Sequence, residues 1–203
     1  MHFENDLKIV ENTPYLETER LILRRFVPED AEALFEILRN EEVNTFLPWF
    51  PAKTVEDACQ WMKERYLDSY SDPWGYNYAV CLKETGELIG YAGASYSEKA
   101  EFGYGYRKDC WRKGYGTEAG KAILERMRDA GFPFVIATHD RENPGSGGVM
   151  RKCGMTYRYS YNEQWQPKDI PVVFRMYQID FKSCETFDLY KEMYSWFVED
   201  LSR

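Results

Sequence analysis

Gly114 and Gly116 stand two apart in the stretch CWRKGYGTEA (residues 110–119), with Arg112 and Lys113 directly before the first of them. Glycine lets a backbone adopt positive φ and come close to a bulky group. An apolar stripe at helical spacing begins just beyond, at Ala119, so the glycines fall where a helix starts. A helix start leaves backbone N–H groups without partners and carries a partial positive charge. The guest such a place accepts is a phosphate or pyrophosphate. The charges agree. From Arg107 to Lys121 there are five basic residues (Arg107, Lys108, Arg112, Lys113, Lys121) against two acids, in a chain of net charge -8. The stretch lacks the GK[ST] ending of a Walker loop and the GxGxxG of a dinucleotide fold. The alternative to an anion site is a solvated turn that uses glycine for its conformation alone.

This loop needs a strand before it and a helix after it. AEFGYGYR supplies the strand; Ala119, Ala122, Ile123, Met127 and Ala130 supply the helix, which Gly131 ends. Upstream, LETERLILRRF alternates as a half-buried strand should. PEDAEALFEILRN predicts a helix with Ala31, Leu34, Phe35 and Leu38 at helical spacing. TVEDACQWMKERYLDSY predicts another, capped by a Thr54/Asp57 pair, with Cys59, Met62 and Tyr66 on one face. YNYAVCL and LIGYAGASY flank a turn at KETGE as a hairpin. Downstream come a short buried strand (FPFVIAT), a turn feeding a short helix (NPGSGGVMRKCG) and a hairpin of MTYRYSYNEQW and IPVVFRMYQID around QPKD. The tail ETFDLYKEMYSWFVEDL reads as an amphipathic helix with Phe187, Tyr190, Tyr194 and Phe197 on one side. With no repeat or linker, the expectation is one α/β domain over residues 1–203, with a core at 15–181 and a helical extension at 182–203.

Composition narrows the class. At 203 residues, 44% hydrophobic and 17% aromatic, the chain can bury a sizeable core. No apolar run approaches a membrane span, and MHFENDLKIVENTPY lacks the basic start and apolar core of a signal peptide. Five scattered cysteines, without CxxC or Cys/His spacing, read as reduced thiols of a cytoplasmic protein, and two histidines do not build a metal site. The acidic balance argues against nucleic acid as the main partner.

Four blocks, LETERLILRRFVPEDAEALFEIL, GELIGYAG, AEFGYGYRKDCWRKGYGTEAGKAIL and ENPGSGGVMRKCGM, occur in this order. Together they resemble the GNAT acetyltransferases, in particular the branch that acetylates ribosomal-protein N-termini, from about Leu16 to Ile179. The resemblance implies an α/β fold with a mixed, mostly antiparallel central sheet flanked by helices, here with an added C-terminal helix. It implies acetyl-CoA as acetyl donor, no metal, and direct transfer to an amine in a ternary complex. By the same resemblance, backbone amides of Arg112, Lys113, Gly114, Tyr115, Gly116 and Thr117 bind the pyrophosphate. Trp111 stands where the family usually has Gln or Arg, which leaves an amide-based contact intact. Tyr104 and Tyr106 match positions whose backbone pairs with the pantetheine arm, one N–H also polarising the thioester carbonyl.

Acetyl transfer needs an acceptor for the amine's proton, because an amine attacks only when unprotonated. Glu101, early in the strand before the loop and near where the resemblance puts a frequent catalytic carboxylate, is the candidate base, with His139 and Glu142 as competitors; the alternative is an exposed strand-end carboxylate or a salt bridge to a nearby arginine. Asn143 matches the family asparagine that anchors pantetheine or the acetyl carbonyl; Asn-Pro also starts turns by itself. Met150 occupies the place of the tyrosine that many members use to protonate the departing thiolate. Ser146 matches the serine of the N-terminal-acetylating branch, so a contact to the sulfur is expected there. Cys110 and Cys153 have no activating partner and read as buried thiols. Trp49, Phe50, Tyr159, Tyr161 and Trp165 offer either an aromatic acceptor pocket or ordinary core and cross-strand pairs. Three readings remain open: acetylation of a protein N-terminus, acetylation of a small amine such as a polyamine or antibiotic, and acyl-CoA binding without turnover. The aromatic tail either covers the domain or mates with a second copy as a homodimer.

Overall fold

Period-two runs of apolar residues form three neighbouring strands, Tyr76–Leu82 (β3), Leu88–Ala94 (β4) and Phe102–Tyr106 (β5), in a computed structural model that describes residues 11–72, 75–95 and 99–201. They continue into Leu21–Arg24 (β2) and Leu16–Glu17 (β1), giving an antiparallel sheet in the order β1-β2-β3-β4-β5. LETERLILRRF is therefore two strands rather than one. Thr18 turns the chain, its backbone N–H donating to Leu21 O at 2.9 Å and its hydroxyl oxygen accepting from Leu21 N at 3.0 Å. A second sheet has the order β6-β8-β7-β9, from Phe134–Asp140 (β6), Thr156–Trp165 (β7), Ile170–Asp180 (β8) and Trp196–Phe197 (β9). The expected reading of the N-terminal segment as lacking a signal peptide falls mostly on residues outside those described.

Both faces of the first sheet are covered. Leu21, Leu23, Tyr76, Tyr78, Val80 and Phe102 pack against helix α3 (Tyr115–Ala130) through Ala119, Ile123 and Met127. Ala79, Cys81, Leu88 and Tyr91 pack on the other face against α1 (Ala31–Leu38) and α2 (Val55–Met62). Thr54 caps α2 as expected: Asp57 N donates to Thr54 Oγ1 at 3.1 Å and Thr54 N to Asp57 Oδ2 at 3.0 Å. Of the face assigned to that helix, Met62 and Tyr66 are buried but Cys59 is exposed, because Ala58 takes the inward position. The chain leaves α2 through a π-helical turn, Lys63–Leu67.

Among the described residues one isolated parallel bridge joins the two sheets, between Glu101 and Ile136, in which Ile136 N donates to Ala100 O at 3.2 Å. Beyond it β5 and β6 part, and α4 (Pro144–Lys152) lies near α3 on the far side. The tail corrects the expected long helix. Helix α5 covers only Leu189–Met193, and Trp196–Phe197 then pairs with β7 at Tyr161 and Ser160. The free edge of β7 offers backbone partners that a continued helix could not use: Asn162 N donates to Ser195 O at 3.0 Å. Glu199, drawn to Arg175 at 2.6 Å, pins the segment's end. Tyr190 is buried, Phe187 and Tyr194 are half-buried, and Phe197 is exposed.

Candidate functional site

The glycine loop is built as its residue types require. Gly114 is the N-cap of α3 with φ 87°, a left-handed conformation that disfavours any Cβ, and no side chain caps the helix. The first-turn N–H groups are thus left for a guest. Arg112, also at positive φ (60°), Lys113 and Gly114 are exposed; Tyr115, Gly116 and Thr117 are half-buried. A Cβ on Gly116 would come within 3.2 Å of the Tyr106 ring, so only glycine seats the helix start this closely over β5. Trp111, the departure from the family pattern, closes the loop from its other end by donating from Nε1 to Tyr106 O at 2.8 Å.

Two residues not singled out from the sequence hold this loop from outside. The Arg20 guanidinium donates to Lys113 O at 3.0 Å, pairs with Glu118 at 2.7 Å and lies 4.7 Å from the Tyr115 ring centroid. Glu118 also accepts from Thr18 Oγ1 at 2.6 Å and from Arg20 N at 2.8 Å. Partial burial alone would raise the Glu118 pKa, but these hydrogen bonds and the Arg20 charge outweigh it, and the net shift is downward. The ETER run carries the arginine, but nothing local says that it reaches a residue 98 positions on.

Strand β5 presents two different faces. Arg107 N donates to Ile89 O at 2.8 Å and Glu101 O accepts from Ser95 N at 3.0 Å. Odd-numbered residues therefore spend their backbone groups on β4, and Phe102, Tyr104 and Tyr106 aim theirs at the opening between β5 and β6. This is the backbone orientation expected of Tyr104 and Tyr106. The Tyr104 side chain adds something the sequence did not indicate. Its hydroxyl donates to Ser146 O at 2.8 Å and stands 2.9 Å from Ser146 Oγ. Burial raises the Tyr104 pKa well above that of a free phenol. Asn143 caps α4, its Oδ1 accepting from Ser146 N at 3.2 Å, so the turn role and a place beside Ser146 coexist. Met150 is buried in the core at the cleft's edge.

Glu101, Gly103 and Gly105 point the other way, toward α1 and α2. Glu101 is half-buried, and both its oxygens are engaged: Thr138 Oγ1 donates to Oε1 at 2.8 Å and Tyr190 Oη to Oε2 at 2.9 Å. Each oxygen keeps a second lone pair, so the carboxylate is oriented without being consumed. Tyr190 comes from the tail, 89 residues away, and is itself stacked on Tyr161 at 4.7 Å. Of the competing bases, Glu142 points into solvent beside Arg141 at 3.4 Å and does not line the cleft. His139 lines it but is buried under α4, where a Cβ on Gly147 would fall 2.5 Å from Nε2. Its Nδ1 must donate to the Asp140 carbonyl at 2.7 Å, and burial lowers its pKa, so it stays neutral. Cys110 and Cys153 are buried thiols; burial pushes Cys153 up to about 11.

These groups share one cleft of about 590 Å³. Glu101, Tyr104, Asn143 and Ser146 line it, together with Trp49, Trp61, Arg65 and Trp165. Of the expected aromatic set, Trp49 and Trp165 face the cleft, Phe50 is in solvent, and Tyr159 and Tyr161 are core residues beneath the tail. Among the described residues no helix is long and apolar enough to cross a membrane.

Comparison with known proteins agrees with this geometry. Residues 20–156 match the family model described as an acetyltransferase (GNAT) domain. An uncharacterized N-acetyltransferase of Bacillus subtilis (strain 168), YoaA, is 30% identical over 146 residues, which are 70% of this chain and 82% of that one. The crystal structure of a GNAT-family acetyltransferase from Bacillus anthracis superposes with a TM-score of 0.72 at 24% identity, covering 83% of this chain and 99% of that one. RimL, a ribosomal L7/L12 alpha-N-protein acetyltransferase solved with coenzyme A, also gives 0.72 at 16% identity, with 82% and 98% covered.

Proposed function

The chain belongs to the GNAT acetyltransferase family and is an acetyl-CoA-dependent N-acetyltransferase, and from that premise we propose that its acceptor is the α-amine of a protein N-terminus, deprotonated by Glu101. The observation that carries this reading is the oriented carboxylate. Glu101 is held by Thr138 and Tyr190 in a cleft whose floor at Gly103 is bare, a Cβ there meeting nothing within 4 Å. A cleft of about 590 Å³ admits the first residues of a peptide, with the leading amine at its carboxylate end. The likeness to RimL, whose acceptor is such an N-terminus, supports the same choice.

The residues present fit the donor. The uncapped start of α3 at Gly114, with Arg112, Lys113, Tyr115, Gly116 and Thr117 around it, suits a pyrophosphate. The outward backbone groups of Tyr104 and the N–H of Tyr106, whose carbonyl is taken by Trp111 Nε1, suit an amide-bearing arm, and one of these N–H groups would polarise the thioester carbonyl. In the transfer, the amine nitrogen bonds to the acetyl carbon, the carbon–sulfur bond breaks, and the amine's proton goes to Glu101. The departing thiolate is stabilised by the Ser146 hydroxyl, which stands 2.9 Å from the Tyr104 hydroxyl, and takes its proton from solvent; Asn143 fixes the turn that carries the serine.

Glu101→Gln tests this assignment. Thiol release should fall by about 10²–10⁴-fold, the range of a positioned acid or base, while acetyl-CoA still raises the melting temperature as it does for the wild type. Activity within a few-fold of wild type would remove Glu101 from the role.

A further inference from the structure

Among the described residues Arg65 is the one arginine or lysine on the lining of this cleft, and its chemistry is unused by the transfer just described. It sits on the π-helical turn Lys63–Leu67, a rare local form that recurs at functional sites. Its guanidinium carbon lies 4.4 Å from the Trp49 ring centroid and 5.2 Å from that of Trp61. Those rings are fixed in turn. Trp49 Nε1 donates to Asn44 Oδ1 at 3.0 Å, and the buried Asn44 amide donates to Leu38 O at 2.8 Å and Asn40 O at 2.7 Å. Trp61 packs edge-on against Trp49 at 5.5 Å and Tyr66 at 5.3 Å.

A guanidinium held over aromatic rings keeps N–H donors for a planar anion. Arg20, Arg24, Arg107 and Arg175 each hold a carboxylate. Arg65 forms no ion pair with any described carboxylate, although its guanidinium is already ordered. Two buried groups behind it, Trp61 Nε1 and the Tyr91 hydroxyl, also have no hydrogen-bond partner among the described residues, so this wall is short of acceptors. The same lining carries the carboxylates of Glu101 and Asp140. It therefore joins acidic groups, one of them the carboxylate at which the amine is expected, with a guanidinium.

We infer that Arg65 is an acceptor-specificity residue, and that the acceptor carries a carboxylate near its reacting amine which pairs with this guanidinium. On a protein N-terminus that group is the side chain of an aspartate or glutamate within the first few residues. The inference rests on the reading of this cleft as the acceptor site with the amine at Glu101. A free amino acid presents the same pair of groups, so the test includes both sources.

The experiment measures kcat/KM for peptides beginning Ser-Glu, Ser-Gln and Ser-Lys, and for β-alanine against β-alaninamide, with wild type, Arg65→Gln and Arg65→Glu. Wild type should favour Ser-Glu over Ser-Gln by about tenfold or more, chiefly through KM. Arg65→Gln should erase the preference, and Arg65→Glu should turn it toward Ser-Lys. Retention of the acetyl-CoA-induced rise in melting temperature shows that each variant is folded with its donor site intact. Equal handling of Ser-Glu and Ser-Gln by wild type, or an unchanged ranking in both variants, would overturn the inference. Should only β-alanine be used, in an Arg65-dependent way, the anion site stands and the protein-N-terminus reading falls. Titration of the same peptides onto the CoA-loaded protein reads the preference without turnover, and equal affinities there would also overturn it.

Discussion

The hydroxyls of Tyr104 and Ser146 meet at 2.9 Å, joining β5 to α4. Ser146 is marked in the sequence by its place after Asn143, and Tyr104 by its place in the strand before the glycine loop. The two are 42 residues apart, so no local pattern encodes the contact. With Met150 buried where many family members have a tyrosine, this pair is the hydroxyl source proposed here for the departing sulfur. A hydrogen bond to a charged group is worth about 1.5–3 kcal/mol, which corresponds to roughly ten- to a hundredfold in rate. Ser146→Ala and Tyr104→Phe should each lower kcat by about that much, and the double variant should be little worse than Ser146→Ala, because the two act as one unit. Losses that multiply would mean that the hydroxyls act separately. The same scale shows what composition hides. Glu101 could be proposed as a base from its strand position, but Thr138 and Tyr190, which orient it, carry no sequence signal that ties them to it.

At the scale of elements, the strand–loop–helix unit from β5 through α3 was readable because each step has a local cause. Alternation makes the strand, glycine makes the turn, and the stripe from Ala119 to Ala130 makes the helix that Gly131 ends at φ 98°. Gly114→Ala forces an L-residue to the left-handed φ of 87° and brings its Cβ 3.3 Å from the Arg20 guanidinium. The conformational cost is about 1–2 kcal/mol. Gly86, at φ 74° with open space around it, is a matched control on the β3–β4 turn. Both alanine variants should melt lower, but only Gly114→Ala should also reduce the rise in melting temperature that acetyl-CoA produces. Equal rises in the two variants would place the donor phosphates elsewhere. The tail was misread for a complementary reason. Phe187, Tyr190 and Tyr194 have helical spacing, yet the decisive partner of Ser195–Phe197 is the open edge of β7, which is a tertiary feature.

Across the whole molecule, function follows from two sheets that touch at Glu101–Ile136 and then diverge. The divergence leaves the backbone of Tyr104 and the N–H of Tyr106 open on one side of β5 and places Glu101 over a bare glycine floor on the other. Order of blocks along the chain was enough to identify this architecture, since the family's core lies in contiguous stretches. The acceptor wall was legible in part: Trp49 and Trp165 could be offered as pocket aromatics, but nothing local in the sequence says that the fold sets Trp61 and Arg65, four residues apart on one helical segment, against Trp49. The most direct measurement is thiol release from acetyl-CoA, with mass analysis of the acceptor, using a serine-initiated peptide, its Nα-blocked twin retaining an internal lysine, and a polyamine. Acetylation of the free α-amine, with the blocked peptide and the polyamine silent, is the predicted result. Transfer to the lysine or the polyamine, with the α-amine left untouched, would contradict it.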